Sequence, residues 1–326
     1  MAVKISNQQK WRPWKGIVLF FVAAAWIIGG SIFAGKVGIA GNFVTQAGLL
    51  ITAIATCFFN KTPLKEVFPI KKITVRDFFG ALFMWIGGLG FGMASIYIAG
   101  MIFPEMYEAV TGGLGGIISG TTVILAFLLM VVCPPICEEA ICRGAILSTF
   151  RGIKKDWVII LIVGVMFGAL HMDPIRFVNT AILGSVCAYL VVKRNNFILA
   201  TIVHLCNNFI TGGITILLSA INPETLSASS DTANAAAQMP AAATLGSIMT
   251  TFFFAPMALV IGMHLIKRQK EISEGSEKKS RLAPKLIVAA IISVLILAGG
   301  FALNIMYNPL TKEALESLSQ TAILAR

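Results

Sequence analysis

Nine apolar runs, each close to the thickness of a lipid bilayer, leave this chain few folds to choose from. They lie at about residues 17–34, 43–59, 77–101, 118–150, 157–172, 176–192, 197–219, 245–266 and 285–306. A helix needs roughly 20 mostly apolar residues to cross the hydrocarbon core, and only helices and closed barrels satisfy their backbone there. Of the 326 residues, 57% are hydrophobic and 13% charged, where soluble domains carry about 25% charged residues. The expected fold is all-α: a polytopic transmembrane helix bundle of about nine spans.

Lys and Arg favour cytoplasmic loops, which orients the runs. Lys4, Lys10, Arg12 and Lys15 precede the first run, and Lys61, Lys65, Lys71, Lys72 and Arg76 follow the second. Arg151, Lys154 and Lys155 follow the fourth, Lys193 and Arg194 the sixth, and Lys267 to Lys285 the eighth. The intervening connections are poor in cations: Lys36 in the first, Pro104 to Gly116 with Glu105 and Glu108, the Asp173-Pro174 corner beside Arg176, and 221–244 with Glu224 and Asp231. This alternation puts the N-terminus in the cytoplasm and the C-terminus outside. The net charge of +11 therefore belongs to membrane-flanking loops, so the expected partner is the lipid bilayer and no nucleic acid.

The basic N-terminal stretch followed by an apolar run has the form of a signal peptide. With so many later runs, an uncleaved first helix is the expectation. Cys57, Cys133, Cys137, Cys142, Cys187 and Cys206 lie in or beside apolar runs at no metal-knuckle spacing, as small hydrophobes do. The chain divides into 1–116 (the first three helices), 117–220 (a core of four) and 221–326 (an external loop, two helices and a tail). Residues 221–244 have linker composition, 267–284 form a charged linker, and 311–326 suit a short helix on the outer surface. The sequence has no internal repeat and no Gly-rich phosphate loop.

Three polar groups interrupt the apolar core. Glu138-Glu139-x-x-x-Arg143 sits between charge-free stretches, and a charge at such depth marks a functional site unless it is paired. Glu139 and Arg143 are i and i+4 on one helix face, in the favoured acid-before-base order, and suit a buried ion pair. Glu138 points about 100° away and has no partner on its own helix, so its apolar setting suits a general base. Phe167 and His171 share a face at i and i+4, where the ring can orient the imidazole. His204 and Asn208 repeat that spacing. His264, beside Lys267 and Arg268, reads as a structural histidine. At 1.5 Å per residue, Glu139 lies roughly 18 Å from Arg151, His171 roughly 21 Å from Trp157, and His204 and Asn208 roughly 10 and 17 Å from Phe197. All fall in the inner leaflet or near the midplane, as a shared cavity requires, and that depth suggests substrate access from the cytoplasmic side or the inner leaflet.

In this order the three groups resemble the motifs EExxxR, FxxxH and HxxxN/D of the CAAX protease and bacteriocin-processing family (CPBP, also Abi) of intramembrane endopeptidases. The resemblance covers about residues 118–219. Members commonly carry Phe before the motif Arg, where this chain has Cys142, and a core of about eight helices, so the ninth run and the 221–244 loop are departures. The resemblance implies a multi-pass protein of a bacterial cell membrane that hydrolyses a peptide or lipidated, for example prenylated, peptide. It implies that Glu138 and His171 activate a water, that His204 and Asn208 stabilise the oxyanion, and that Glu139 and Arg143, with Phe167, support the site.

Two chemistries stay open for these residues. A metal-free mechanism needs no cofactor and uses Asn208 as a hydrogen-bond donor, since a side-chain amide is a poor zinc ligand. A zinc alternative would use Glu138, His171 and His204 with a water as fourth ligand. No H-E-x-x-H occurs, so such a centre would be assembled across helices. Outside hydrolysis, a proton-coupled transporter also places Glu, Arg and His in a midplane cavity, and a non-catalytic bacteriocin-immunity protein would not depend on Glu138. Rhomboid-type serine chemistry lacks its G-x-S-G loop, and presenilin-type chemistry lacks two intramembrane Asp.

Overall fold

The computed structural model describes residues 6–38, 40–110, 121–222, 239–275, 282–309 and 311, and every regular element among them is helical. The main helices are α1 (Pro13–Val37), α2 (Ala40–Phe59), α3 (Val75–Ile102), α4 (Val123–Phe150), α5 (Asp156–Leu170), α6 (Pro174–Arg194), α7 (Phe197–Ile221), α8 (Ala241–Phe252), α9 (Ala255–Ser273) and α10 (Ala283–Tyr307). Among the described residues, eight helices are long and apolar enough to cross a membrane, with α8 and α9 counted together across the Phe253-Phe254 turn. The helix α5 is apolar but has only 15 residues. The chain is a multi-pass membrane protein.

Local chemistry sets the boundaries. Pro13 and Pro174 open α1 and α6, where the missing N–H costs nothing. Thr74 and Asp77 form a reciprocal capping box at the start of α3, and the Asp173 side chain caps α6. Three connections are more helical than their composition suggests: residues 104–110 are helical, α8 starts inside the 221–244 stretch, and α9 runs on to Ser273. The rest of those connections (111–120, 223–238 and 276–281) and the surface helix expected in the tail (312–326) lie outside the described residues.

The second half of α4 is the axis of the bundle. All residues from Glu139 to Phe150 are buried, enclosed by α1, α2, α5, α6 and α7. The outer pairs are α3 with α9 and α8 with α10, and α3 also packs on α6. Apolar area alone does not drive helices together in lipid, so close packing must. Gly164 and Gly168 of α5 supply it against α6: a Cβ on Gly168 would stand 2.6 Å from the Phe177 carbonyl oxygen, and one on Gly164 2.9 Å from that of Ala181. Gly262 plays the same part between α9 and α3, with the Met84 nitrogen 2.6 Å from its ideal Cβ.

The face bearing the basic loops is clamped by charge. Buried Asp77 accepts from Arg194 Nε at 2.5 Å and Nη2 at 3.1 Å, joining the start of α3 to the end of α6. Lys193 reaches Asp156 at 2.7 Å, which sets the start of α5 level with the end of α6. Trp11, 1% exposed, donates from its indole to Thr62 at 2.9 Å and ties the N-terminal segment to the α2–α3 connection.

Gly168→Leu should lower stability by about 1–3 kcal/mol through overpacking, read as a lower unfolding midpoint in detergent. The control Gly152→Leu, with nothing within 4 Å of its Cβ, should leave that midpoint unchanged. Asp77→Ala should lower stability too, by about 1.5–3 kcal/mol for a charge-assisted hydrogen bond, since among the described residues Arg194 keeps only its contact with Ser273.

Candidate active site

The helix α4 is not a regular α-helix where it carries the first motif. Two π-helical stretches, Leu128–Val132 and Ala140–Ile146, flank the α-helical Cys133–Glu139 segment, and such wide turns recur at functional sites. Pro134 and Pro135 give one cause. The Met130 carbonyl would be bonded by residue 134 in an α register and by residue 135 in a π register, and neither proline has an N–H to give. Asn208 Nδ2 of α7 donates to that oxygen at 3.1 Å and satisfies a group that α4 cannot satisfy itself.

The two adjacent glutamates face opposite surroundings. The Glu139 side chain is 0% exposed; its Oε1 pairs by charge with Arg143 Nη1 at 3.0 Å and accepts a hydrogen bond from His204 Nδ1 at 2.9 Å. Arg143, equally buried, donates from Nη2 to the Gly184 carbonyl at 3.0 Å and lies with its guanidinium carbon 4.2 Å from the centre of the Phe167 ring. The same ring meets His171 and His204 edge-on, at 5.0 and 5.5 Å between centroids. Phe167 is thus the common wall of the guanidinium and both imidazoles. Glu139 and Arg143 form the buried pair expected from their spacing, extended to a third partner on α7.

Glu138 turns instead to a cavity of about 260 Å³ lined also by Phe167, Leu170, His171 and Arg176. Its Oε2 is 4.0 Å from His204 Nε2. His171 follows the last residue of α5, and its Nδ1 donates to the Phe167 carbonyl at 2.9 Å, since a carbonyl can only accept. The neutral ring therefore keeps a lone pair on Nε2. By the same logic Nδ1–H of His204 points at Glu139, so its Nε2 donates a hydrogen bond only as the imidazolium. At about 22 Å, α5 is shorter than the hydrocarbon core. Its end at His171 and the left-handed Met172 (φ 51°) are irregular backbone at membrane depth, tolerated where it lines a cavity.

The cavity gathers Glu138, Phe167 and His171 and has His204 close behind. Asn208 does not line it and spends its amide on Met130, and His264 does not line it either. Cys142 does, at the position where the resembling family commonly has Phe. The polar lane opposite Glu138, Ser31 of α1 with Asn42, Thr45 and Gln46 of α2, escaped the sequence reading. Its signal was there, in polar residues at i, i+3 and i+4 along an otherwise apolar run.

The lining of the cavity extends away from the basic loops. Ser31 lies near the end of α1, Asn42 near the start of α2, and His171 and Arg176 at the α5–α6 corner. Part of the lining therefore lies on the side of the bundle away from Lys15, Lys61, Arg151 and Lys193.

The zinc alternative calls for a third ligand near Glu138 and His204. Among the described residues no group of three or more His, Cys, Asp or Glu side chains is arranged to hold a metal ion, so no step is routed through one. No curated protein and no solved structure matches the chain. All three motifs do fall inside a segment, residues 119–210, that matches a family model. That family, similar to this chain over the core of its bundle, is the Rce1-like type II CAAX prenyl endopeptidases.

Proposed function

We propose that this protein is an intramembrane endopeptidase that hydrolyses a peptide bond of a membrane-associated or prenylated peptide with a water activated by Glu138 and His171. The observation that carries the reading is the single cavity shared by Glu138 and His171, with His204 Nε2 at 4.0 Å from the carboxylate. In the proposed reaction Glu138 takes a proton from the water, and the resulting hydroxide attacks the carbonyl carbon. His171 accepts through Nε2 and keeps the water oriented. The imidazolium of His204, backed by Glu139, donates to the developing oxyanion. Breakdown returns the proton to the leaving amine and frees the new carboxylate. Such oxyanion donors are worth about 10²–10³-fold each in typical enzymes.

Asn208 enters this scheme differently from its family-implied role. One of its amide hydrogens is engaged by Met130, so it offers at most the second to an oxyanion, and we assign it also the task of holding α7 against α4. Arg143 and Phe167 support the site through Glu139 and the two imidazoles.

Glu138→Gln should lower peptide cleavage by about 10²–10⁴-fold, the usual contribution of a general base, while the detergent unfolding midpoint stays at the wild-type value. Glu139→Ala should instead lose the fold, at a cost of about 3–5 kcal/mol for the orphaned Arg143. Preserved cleavage by Glu138→Gln would remove Glu138 as the base, whereas a wild-type protein that cleaves no peptide and a cellular phenotype untouched by Glu138→Gln would favour an immunity or transport role. Purified, active protein should carry no stoichiometric zinc and should keep its activity in chelator. Zinc-dependent recovery after chelation would replace the metal-free step.

A further inference from the structure

We propose that Gln46 of α2 is the positioning residue of Glu138: its amide holds one carboxylate oxygen and leaves the other turned toward His204. Gln46 Nε2 lies 3.4 Å from Glu138 Oε1, whereas Oε2 is the oxygen 4.0 Å from His204 Nε2. An ionised carboxylate only accepts hydrogen bonds, so the amide must turn its NH₂ to Glu138. That choice leaves Gln46 Oε1 buried without a partner. A buried orphan acceptor is uncommon and calls for a reason. Here the contact with Glu138 is the one hydrogen bond of this amide among the described residues, and it sets the orientation at the expense of the other end.

The surroundings make the placement firm. The helix α2 packs along both the Cys133–Glu139 and Ala140–Ile146 stretches of α4. Thr45, beside Gln46, bonds back to the Gly41 carbonyl at 3.3 Å, and Gly48 lies so close to the Trp26 indole that a Cβ there would stand 2.3 Å from it. Gln46 is therefore presented by a helix that is fixed on both sides. It lies outside the matched segment 119–210, so the first pair of helices supplies a part of the site that the three motifs do not contain.

The kinetic half of this inference rests on the endopeptidase reading; the contact itself does not. Infrared difference spectra of wild type against Glu138→Gln isolate the Glu138 carboxylate bands without turnover. The same difference taken in a Gln46→Met background should show those bands displaced. With a cleaved peptide, Gln46→Met should lower kcat by about 10–100-fold with KM within about twofold, as misplacement of a reacting group does. In a Glu138→Asp background, which has already lost the geometry, the same change should cost less than about threefold. Gln46→Asn, shorter by one methylene but still polar, should behave as Gln46→Met does and guards against a misfolded variant. Undisplaced bands overturn the proposal whatever the activity, as does a full effect in the Glu138→Asp background. Displaced bands in a protein that cleaves nothing uphold the contact and sink the endopeptidase reading instead.

Discussion

A single carboxylate oxygen joins the helices that matter in this protein. Glu139 Oε1 receives Arg143 from its own helix and His204 from α7, while Arg143 reaches on to the Gly184 carbonyl of α6 and to the Phe167 ring of α5. Four helices thereby share one charge cluster with no solvent exposure at Glu139 or Arg143. Isolated, either charge would be expensive in so apolar a place; together they strengthen one another because the local dielectric is low. The price of ordering the cluster is met once, and both imidazoles inherit fixed orientations from it.

The cluster also explains why adjacent glutamates do different work. One helical step separates the directions of Glu138 and Glu139 by about 100°. With Glu139 fixed toward α7, Glu138 has to face the gap between α2 and the α5–α6 corner. The short α5 helps to make that gap, because it ends at Leu170 and leaves His171 and Met172 as its rim. Small side chains widen it further at Cys142. A pocket at this depth follows from packing that stops short on one side of the bundle.

Much of this was legible in the residues. Apolar runs announce helices because lipid leaves the backbone no other partners, and i, i+4 spacing announces the Glu139–Arg143 pair because two such side chains must meet. The three motifs also located Glu138, Phe167, His171 and His204 at one level. What escaped was whatever depends on how helices lean on one another. The Asn42, Thr45 and Gln46 lane carries no charge, so nothing marked it out until α2 was seen against α4. The Gly164 and Gly168 contacts are small-residue spacings that occur by chance in any apolar run. The rim that His171 lends to the cavity depends on α5 ending at Leu170, a packing outcome that spacing alone does not give.

The proline pair in α4 has a last consequence for how this protein responds to change. Pro134 and Pro135 create an acceptor at Met130 that only another helix can serve, and Asn208 serves it. Asn208 and the two prolines are thus one joint built from distant parts of the chain. A lineage that restored an N–H at residue 134 would release Asn208 from that duty, and one that lost Asn208 would gain by losing a proline. Covariation between these positions would report the mending of a broken helix, even though one of them sits in a motif read for its chemistry.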